Sequence, residues 1–406
     1  MRIAYFSPLP PQPSGISDYS ADLIPALLEY WDITLFVEQV SIELPRDLLL
    51  LPIRSLDSFA GAIVERCNMC VYQMGNNIHF HKGIFETLLR YPGVVVLHDP
   101  NLYGFHLDYA MQQKCPRTQL VRDFGFGYGD VGIDYARQLF LADGLRQNTR
   151  YPLAARIAQT SIGVIVHSEH ARRIVLRDSP NARVAVTQQP VSIRKRTISK
   201  SLAKEQLGLP ADTVLLSSFG YASPNKHIHS VIEILPKLRD AFPKVHYAIV
   251  GQPIVGYDLA KLISDRGLEQ FVHLTGYVDK TLYTNYLLAT DIGINLRFPT
   301  TGETSAALLD MMSAGIPCIV ADVDAFSELP DDAVVKLKPD AEIEKNLILT
   351  LTSLICKPEW QKILSENAQR YILSEANPTK VAATYASFVA ESIHLSFRDE
   401  SRRLSL

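Results

Sequence analysis

Short apolar runs rich in β-branched and aromatic residues recur along this chain, each followed by an amphipathic stretch. Residues 2–6, 33–37, 69–73, 93–97, 162–166 and 183–187 read as strands, with helices at 18–30 and 153–160 among the intervening segments. This alternation of strands and helices implies parallel sheets covered by helices on both faces. The rhythm then restarts. Strands are expected at 214–219, 245–250, 272–274, 292–296 and 318–321, and helices at 228–241, 257–267, 280–289 and 304–314. The fold class is therefore α/β, with two successive Rossmann-like halves and no repeat visible in the residues themselves. A length of 406 residues suits two domains, since domains usually hold roughly 100–200 residues. The seam falls between Thr187 and Ser199, at Pro190, giving domains 1–190 and 191–377. The run Arg194-Lys195-Arg196 within it reads as a solvated linker. Pro378 opens a last helix, in which Val381, Tyr385, Phe388, Ser392 and Ile393 fall at helical spacing.

Composition narrows the function. Lys and Arg number 40 against 43 Asp and Glu, a net charge of −3. Nucleic-acid binding needs a dense basic surface, so no nucleic-acid partner is expected. Five cysteines are scattered irregularly, which does not suit a disulfide framework. Cys67 and Cys70 match C-x-x-C, but with no second pair they read as thiols of a strand. The amino terminus runs straight into a short apolar segment that prolines stop, unlike a signal peptide. No run of about 18 apolar residues exists to span a bilayer. A cytoplasmic location is expected, with peripheral contact at the inner face of the membrane compatible with it.

Three loops carry chemistry. The first is Ser14-Gly15-Ile16-Ser17-Asp18 after the first strand. Gly15 lets backbone N–H groups approach an anion at a helix mouth, and Ser17 or Asp18 is placed to cap that helix. Read without a ligand, it is a capped turn. The second is Gly220-Tyr221-Ala-Ser-Pro-Asn-Lys226, where a strand, a glycine turn, a lysine and a helix follow in order. That order suits a phosphate. The third is Arg297-Phe-Pro-Thr-Thr-Gly-Glu303-Thr304-Ser305, followed by Asp310 and Gly315-Ile-Pro317. Thr304 and Ser305 mark a helix mouth whose free N–H groups suit a diphosphate. Glu303 and Asp310, seven apart, are expected on one face, one reaching a sugar and the other a ribose. The glycines 125, 127 and 129 lie among the aromatics of 104–150, including Phe124, Phe126, Tyr128 and Phe140. They lack a preceding strand, so that stretch reads as a mobile aromatic segment, with packed core aromatics as the alternative.

These motifs together resemble retaining glycosyltransferases of the GT-B fold, family 4 (glycosyl transferases group 1), over nearly the whole chain and most strongly over 214–330. That family places an Arg and, five residues on, a Lys after the glycine turn; here the positions hold Tyr221 and Lys226. Its paired acids correspond to Glu303, displaced by one residue, and to Asp310. Leu97-His98-Asp99 resembles the strand-end histidine beside the transferred sugar. Gly276-Tyr277-Val278 resembles the segment that holds the nucleotide base. Pro378–Phe397 resembles the helix that returns to the first domain.

The resemblance implies two Rossmann-like domains facing across a cleft, the first binding acceptor and the second a nucleotide sugar. It implies transfer of a hexose with retention to a saccharide or lipid-linked acceptor, in polysaccharide biosynthesis. UDP-sugar is favoured over GDP-sugar, and no cofactor is expected. His98 and Glu303 would be catalytic, with Gly15, Tyr221, Lys226, Tyr277, Val278, Thr304, Ser305 and Asp310 binding substrate. Asp322-Val-Asp324 matches the D-x-D of another glycosyltransferase fold, but it reads as loop caps, and no metal is expected. A non-catalytic sugar-nucleotide binder and a sugar-nucleotide epimerase are the alternatives.

Overall fold

A computed structural model describes residues 1–39, 41–44, 48–60, 66–139, 150–194 and 197–404, with side chains through residue 395. The chain divides into two compact units. The first holds Met1–Pro190, Thr301–Thr304 and Glu375–Leu406, and the second Val191–Thr300 and Ser305–Ser374. Lys195, Arg196 and Phe140 lie outside the described residues.

The first unit is built on a parallel sheet. Its strands are β1 (Arg2–Phe6), β2 (Asp32–Val37), β3 (Ile53–Ser55), β4 (Met69–Met74), β5 (Val94–Leu97), β6 (Gly163–Val166) and β7 (Val184–Val186). They lie in the order β3-β2-β1-β4-β5-β6-β7. Helices α1 (Gly15–Leu27), α2 (Ile78–Arg90), α3 (Tyr103–Met111), α4 (Pro116–Leu139), α5 (Ala155–Thr160) and α6 (Glu169–Asp178) connect them. Every residue of β4 and β5 is buried, as a strand covered on both faces must be. Cys70 is one of them, and burial raises its thiol to about 12, which removes it from thiolate chemistry.

The second unit repeats the plan. Helix α7 (Lys200–Gln206) leads to β8 (Val214–Phe219), α8 (Ile228–Ala241), β9 (Val245–Val250), α9 (Leu259–Asp265) and β10 (Val272–Leu274). Then come α10 (Lys280–Ala289), β11 (Ile292–Asn295), α11 (Ala306–Ser313), β12 (Cys318–Ala321), β13 (Val334–Leu337), α12 (Ile343–Cys356) and α13 (Pro358–Glu375). The parallel sheet order is β10-β9-β8-β11-β12-β13.

The last helix, α14 (Pro378–Leu404), belongs to the first unit. Val381, Tyr385, Phe388 and Val389 join a core cluster with Leu23, Ile24 and Trp31. Burying an aromatic of this kind contributes roughly 1.5–3 kcal/mol. Phe388 needs the absence of a side chain on β6: a Cβ at Gly163 would stand 2.7 Å from its ring.

The aromatic stretch is a correction. Residues 116–139 form α4, kinked at Gly129, whose φ of 60° sets it outside the helical range. Phe124 is fully buried and packs with Tyr103, Leu120 and Tyr151. Leu120, Phe124 and Tyr128 are four apart and therefore share a helix face. The interspersed glycines hid that period, and the segment is a satellite core.

Candidate functional site

In an open parallel sheet, ligands bind at the carboxyl ends of the strands where the strand order reverses. In the second unit that point lies between β8 and β11. Three of the expected residues cluster there. Gly220 follows β8 with φ of 84°, a value that favours glycine. The carbonyl of Gly220 approaches Gly251 so closely that a Cβ at 251 would stand 2.3 Å from it, so both turns need glycine. Pro224–Lys226 is a short 3-10 turn, and α8 starts at Ile228. Lys226 is buried, and its Nζ donates to the Phe219 carbonyl at 2.8 Å, folding back over Gly220. The ammonium is thus fixed at the end of β8 rather than waving from the surface. Tyr221, at the family's arginine position, is exposed.

Across the reversal, Ser305 is the N-cap of α11. Its hydroxyl accepts from Leu308 N and donates to Asn295 Oδ1 at 3.2 Å. Asn295 ends β11, is buried, and its Nδ2 has no protein partner. A buried amide donor without a partner is costly, and here it lies beside a helix mouth already suited to an anion. Sequence reasoning passed over Asn295. Its signal was a polar residue closing the otherwise apolar strand Ile292-Gly-Ile-Asn295.

Glu303 and Asp310 do not share a helix face. Helix α11 begins at Ala306, so Glu303 lies in the preceding loop, where its Oε2 accepts from Thr301 N at 2.8 Å and Thr301 Oγ1 at 2.6 Å. Thr304 lies in the same loop. Asp310 is engaged within the second unit. Its Oδ1 accepts from Arg194 Nε at 3.0 Å and Nη2 at 2.7 Å, and its Oδ2 from Tyr283 OH at 3.0 Å. Arg194 is therefore a half-buried ion-pair partner, not part of a solvated run. Both Arg194 and Tyr283 escaped the sequence analysis, because nothing local links them to Asp310.

Tyr277 is exposed on the turn after β10, where Gly276 has φ of 68°. Val278 follows, and Asp279 caps α10 by accepting from Leu282 N at 2.8 Å. Asp322 and Asp324 act as loop acceptors: Asp322 Oδ1 accepts from Ser327, and Asp324 Oδ2 from Thr300.

In the first unit the strand order reverses between β1 and β4. Gly15 is the first residue of α1, and Ser14 is the N-cap, accepting from Ile16 N at 3.3 Å. The cap expected of Ser17 or Asp18 is thus made three or four residues earlier. Ser17 is buried and its hydroxyl has no protein partner. The turn after β4 is packed flush: a Cβ at Gly75 would meet Ile16 at 2.6 Å, and Asp99 Oδ2 and His81 Nε2 at 3.1 Å.

His98 stands at the end of β5, only 7% exposed. Its Nε2 lies 2.7 Å from Gln73 Oε1 and its Nδ1 3.3 Å from His167 Nε2. Tyr19 packs edge-on against the ring, with centroids 4.5 Å apart. Burial drives His98 well below the ordinary histidine range, and the neighbouring His167 and His81 push in the same direction. The ring is therefore neutral at physiological pH, and both nitrogens are committed inside the unit. Ser168 caps α6, accepting from Ala171 N at 3.0 Å.

Residues 199–371 match a family model described as Glycosyl transferases group 1. A search of curated proteins found no match. Among solved structures, HepE from Anabaena, determined with UDP and glucose, is 17% identical, covers 96% of this chain and 100% of its own, and has a TM-score of 0.66. A sucrose-phosphate synthase from Thermosynechococcus elongatus is 16% identical, with coverage of 96% and 98% and a TM-score of 0.67. WaaG, a glycosyltransferase involved in lipopolysaccharide biosynthesis, is 12% identical, with coverage of 94% and 98% and a TM-score of 0.59. At these identities the likeness is one of fold, that of GT-B glycosyltransferases. The stretch 199–371 that matches the glycosyl transferases group 1 model includes the glycine turn, Lys226, Asn295 and Ser305.

Proposed function

We propose that this chain is a retaining glycosyltransferase of family 4. It would move a hexose from a nucleoside diphosphate sugar, UDP favoured over GDP, to a saccharide or lipid-linked acceptor in polysaccharide biosynthesis. One observation carries this reading. The fixed Lys226 ammonium, the unpartnered Asn295 amide and the Ser305-capped mouth of α11 border the β8–β11 reversal, within the stretch that matches group 1. HepE, a neighbour in fold, was solved with UDP-glucose, which favours the uridine nucleotide.

In this reading the second unit holds the donor and the first the acceptor. Negative charge gathers on the departing diphosphate, and donors fixed beforehand stabilise it. Lys226 and the N–H groups of α11 supply them in the second unit, and Gly15 N–H is a substrate-binding donor of the first. The leaving diphosphate takes the proton of the attacking hydroxyl on the same face, which gives retention. Thr304 and Ser305 bind the diphosphate, and Glu303 contacts the transferred sugar. Tyr221, Tyr277 and Val278 border the nucleotide, with the base on the last two. Asp310 approaches the ribose through the one acceptor site that Tyr283 leaves on Oδ2. His98 holds the end of β5 against the sugar. The reaction needs no metal. We place it in the cytoplasm, with peripheral contact at the inner membrane face; among the described residues no helix is long and apolar enough to cross a membrane.

The test is nucleotide release from UDP-, GDP- and ADP-sugars with saccharide acceptors, with and without EDTA. Release of UDP with a product of retained configuration, in EDTA, is expected. Binding without release would make the chain a sensor. Interconversion of the donor itself would make it an epimerase. Loss in EDTA with rescue by manganese would return Asp322 and Asp324 to consideration as ligands.

A further inference from the structure

The hydrogen bonds around His98 obey a parity that fixes where their protons lie. His167 Nδ1 stands 3.0 Å from the Thr187 carbonyl, and a carbonyl only accepts, so His167 Nδ1 carries a proton. In a neutral ring, His167 Nε2 is then bare. It faces His98 Nδ1 at 3.3 Å, which must therefore be the donor. That leaves His98 Nε2 bare, and it needs a donor from Gln73. Yet Gln73 turns its Oε1 toward His98, at 2.7 Å, while its buried Nε2 faces the Tyr385 hydroxyl without a hydrogen bond of good geometry.

Two arrangements remove this conflict. His98 could carry a second proton, or the Gln73 amide could lie the other way round. A cation here would be buried beside His81 and His167, and taking an ion out of water is unfavourable unless an opposite charge compensates. No carboxylate contacts either ring among the hydrogen bonds described. Reversing the amide exchanges nearly isosteric groups and removes the orphaned nitrogen at once. It also turns the Gln73 oxygen toward the Tyr385 hydroxyl, which lies within reach of this side chain and is already paired with Tyr19 OH.

We infer that Gln73 and His167 are positioning residues that hold His98 as the neutral Nδ1–H tautomer. The donors then all run one way, from Tyr19 through Tyr385, Gln73, His98 and His167 to the Thr187 carbonyl. The part His98 plays in sugar transfer rests on the function proposed above, whereas its tautomer does not.

Long-range proton–nitrogen correlation on the full chain with 15N-labelled histidine decides the assignment. Signals are identified by their loss in His98→Asn and His167→Asn. At pH 7, each of the two rings is expected to show a protonated Nδ1 and a bare Nε2. A protonated Nε2 on His98 would overturn the inference. Turnover of Gln73→Leu reads the other question. A tenfold fall in kcat with donor KM unchanged is expected, and unaltered turnover with the tautomer as assigned would remove His98 from the transfer reaction alone.

Discussion

Arg194 places two N–H groups on a single oxygen of Asp310, at 2.7 and 3.0 Å, and so ties the segment after Pro190 to helix α11. Both side chains are partly exposed, at 31% and 19%, so solvent screens the pair. A double-mutant cycle of Arg194→Ala and Asp310→Asn in urea should return a coupling of about 1 kcal/mol. A coupling indistinguishable from zero would reduce the contact to a surface coincidence.

Lys226→Met should leave the fold intact while weakening nucleoside diphosphate binding. A hydrogen bond to a charged group is worth about 1.5–3 kcal/mol, so the loss should lie between roughly 10-fold and 100-fold. Calorimetry with UDP reads it. An affinity within a factor of two of the parent would take Lys226 out of the site and leave it a clasp on the Phe219 carbonyl.

Glu303 distinguishes between two ligands. If its carboxylate contacts the transferred sugar, Glu303→Ala should weaken binding of the sugar nucleotide about tenfold more than that of the bare nucleotide. Equal losses would show that its work is to accept the two Thr301 donors and shape the loop.

Acid should destabilise the first unit. Burial lowers His81 and His167 to about 4, and His98 well below its ordinary value. The folded chain thus refuses protons that the unfolded chain accepts below about 6.5. Stability is complete above that pH and falls as the pH drops from about 6.5 toward 4, by up to about 1.4 kcal/mol per pH unit for each group. Urea midpoints at pH 7, 6 and 5 should decline progressively. A His167→Asn variant should show a shallower decline, and an unchanged slope would mean that this ring is not neutral in the folded state.

The strands that form the middle of each sheet were legible because burial on both faces leaves an apolar run. So were the edge strands β7 and β10. The opposite edges, Ile53–Ser55 and Val334–Leu337, were not, because Arg54, Ser55 and Lys336 leave no apolar run to mark them. Helix α8 at 228–241 and α10 at 280–289 came through with their bounds, whereas α1 starts earlier than expected because Ser14 provides the cap. The glycine turn and Lys226 were visible because strand, turn and helix adjoin in sequence. Gln73, Asn295 and Arg194 were not. The first two are lone polar residues at strand ends, and the meaning of each depends on a neighbour far along the chain. Arg194 sits in what reads as linker, and only the tertiary pairing with Asp310 shows otherwise.

Helix α14 makes the order of residues differ from the order of completion. The core that holds Leu23, Ile24 and Trp31 lacks Tyr385, Phe388 and Val389 until residues 381–389 have been made. Among the described residues, the large core of the second unit runs from Val214 to Leu364. Domains emerging from a ribosome generally fold from the amino end. Here the later half can close while the earlier half still waits for its last helix. Its apolar α1 face is exposed through the synthesis of everything in between.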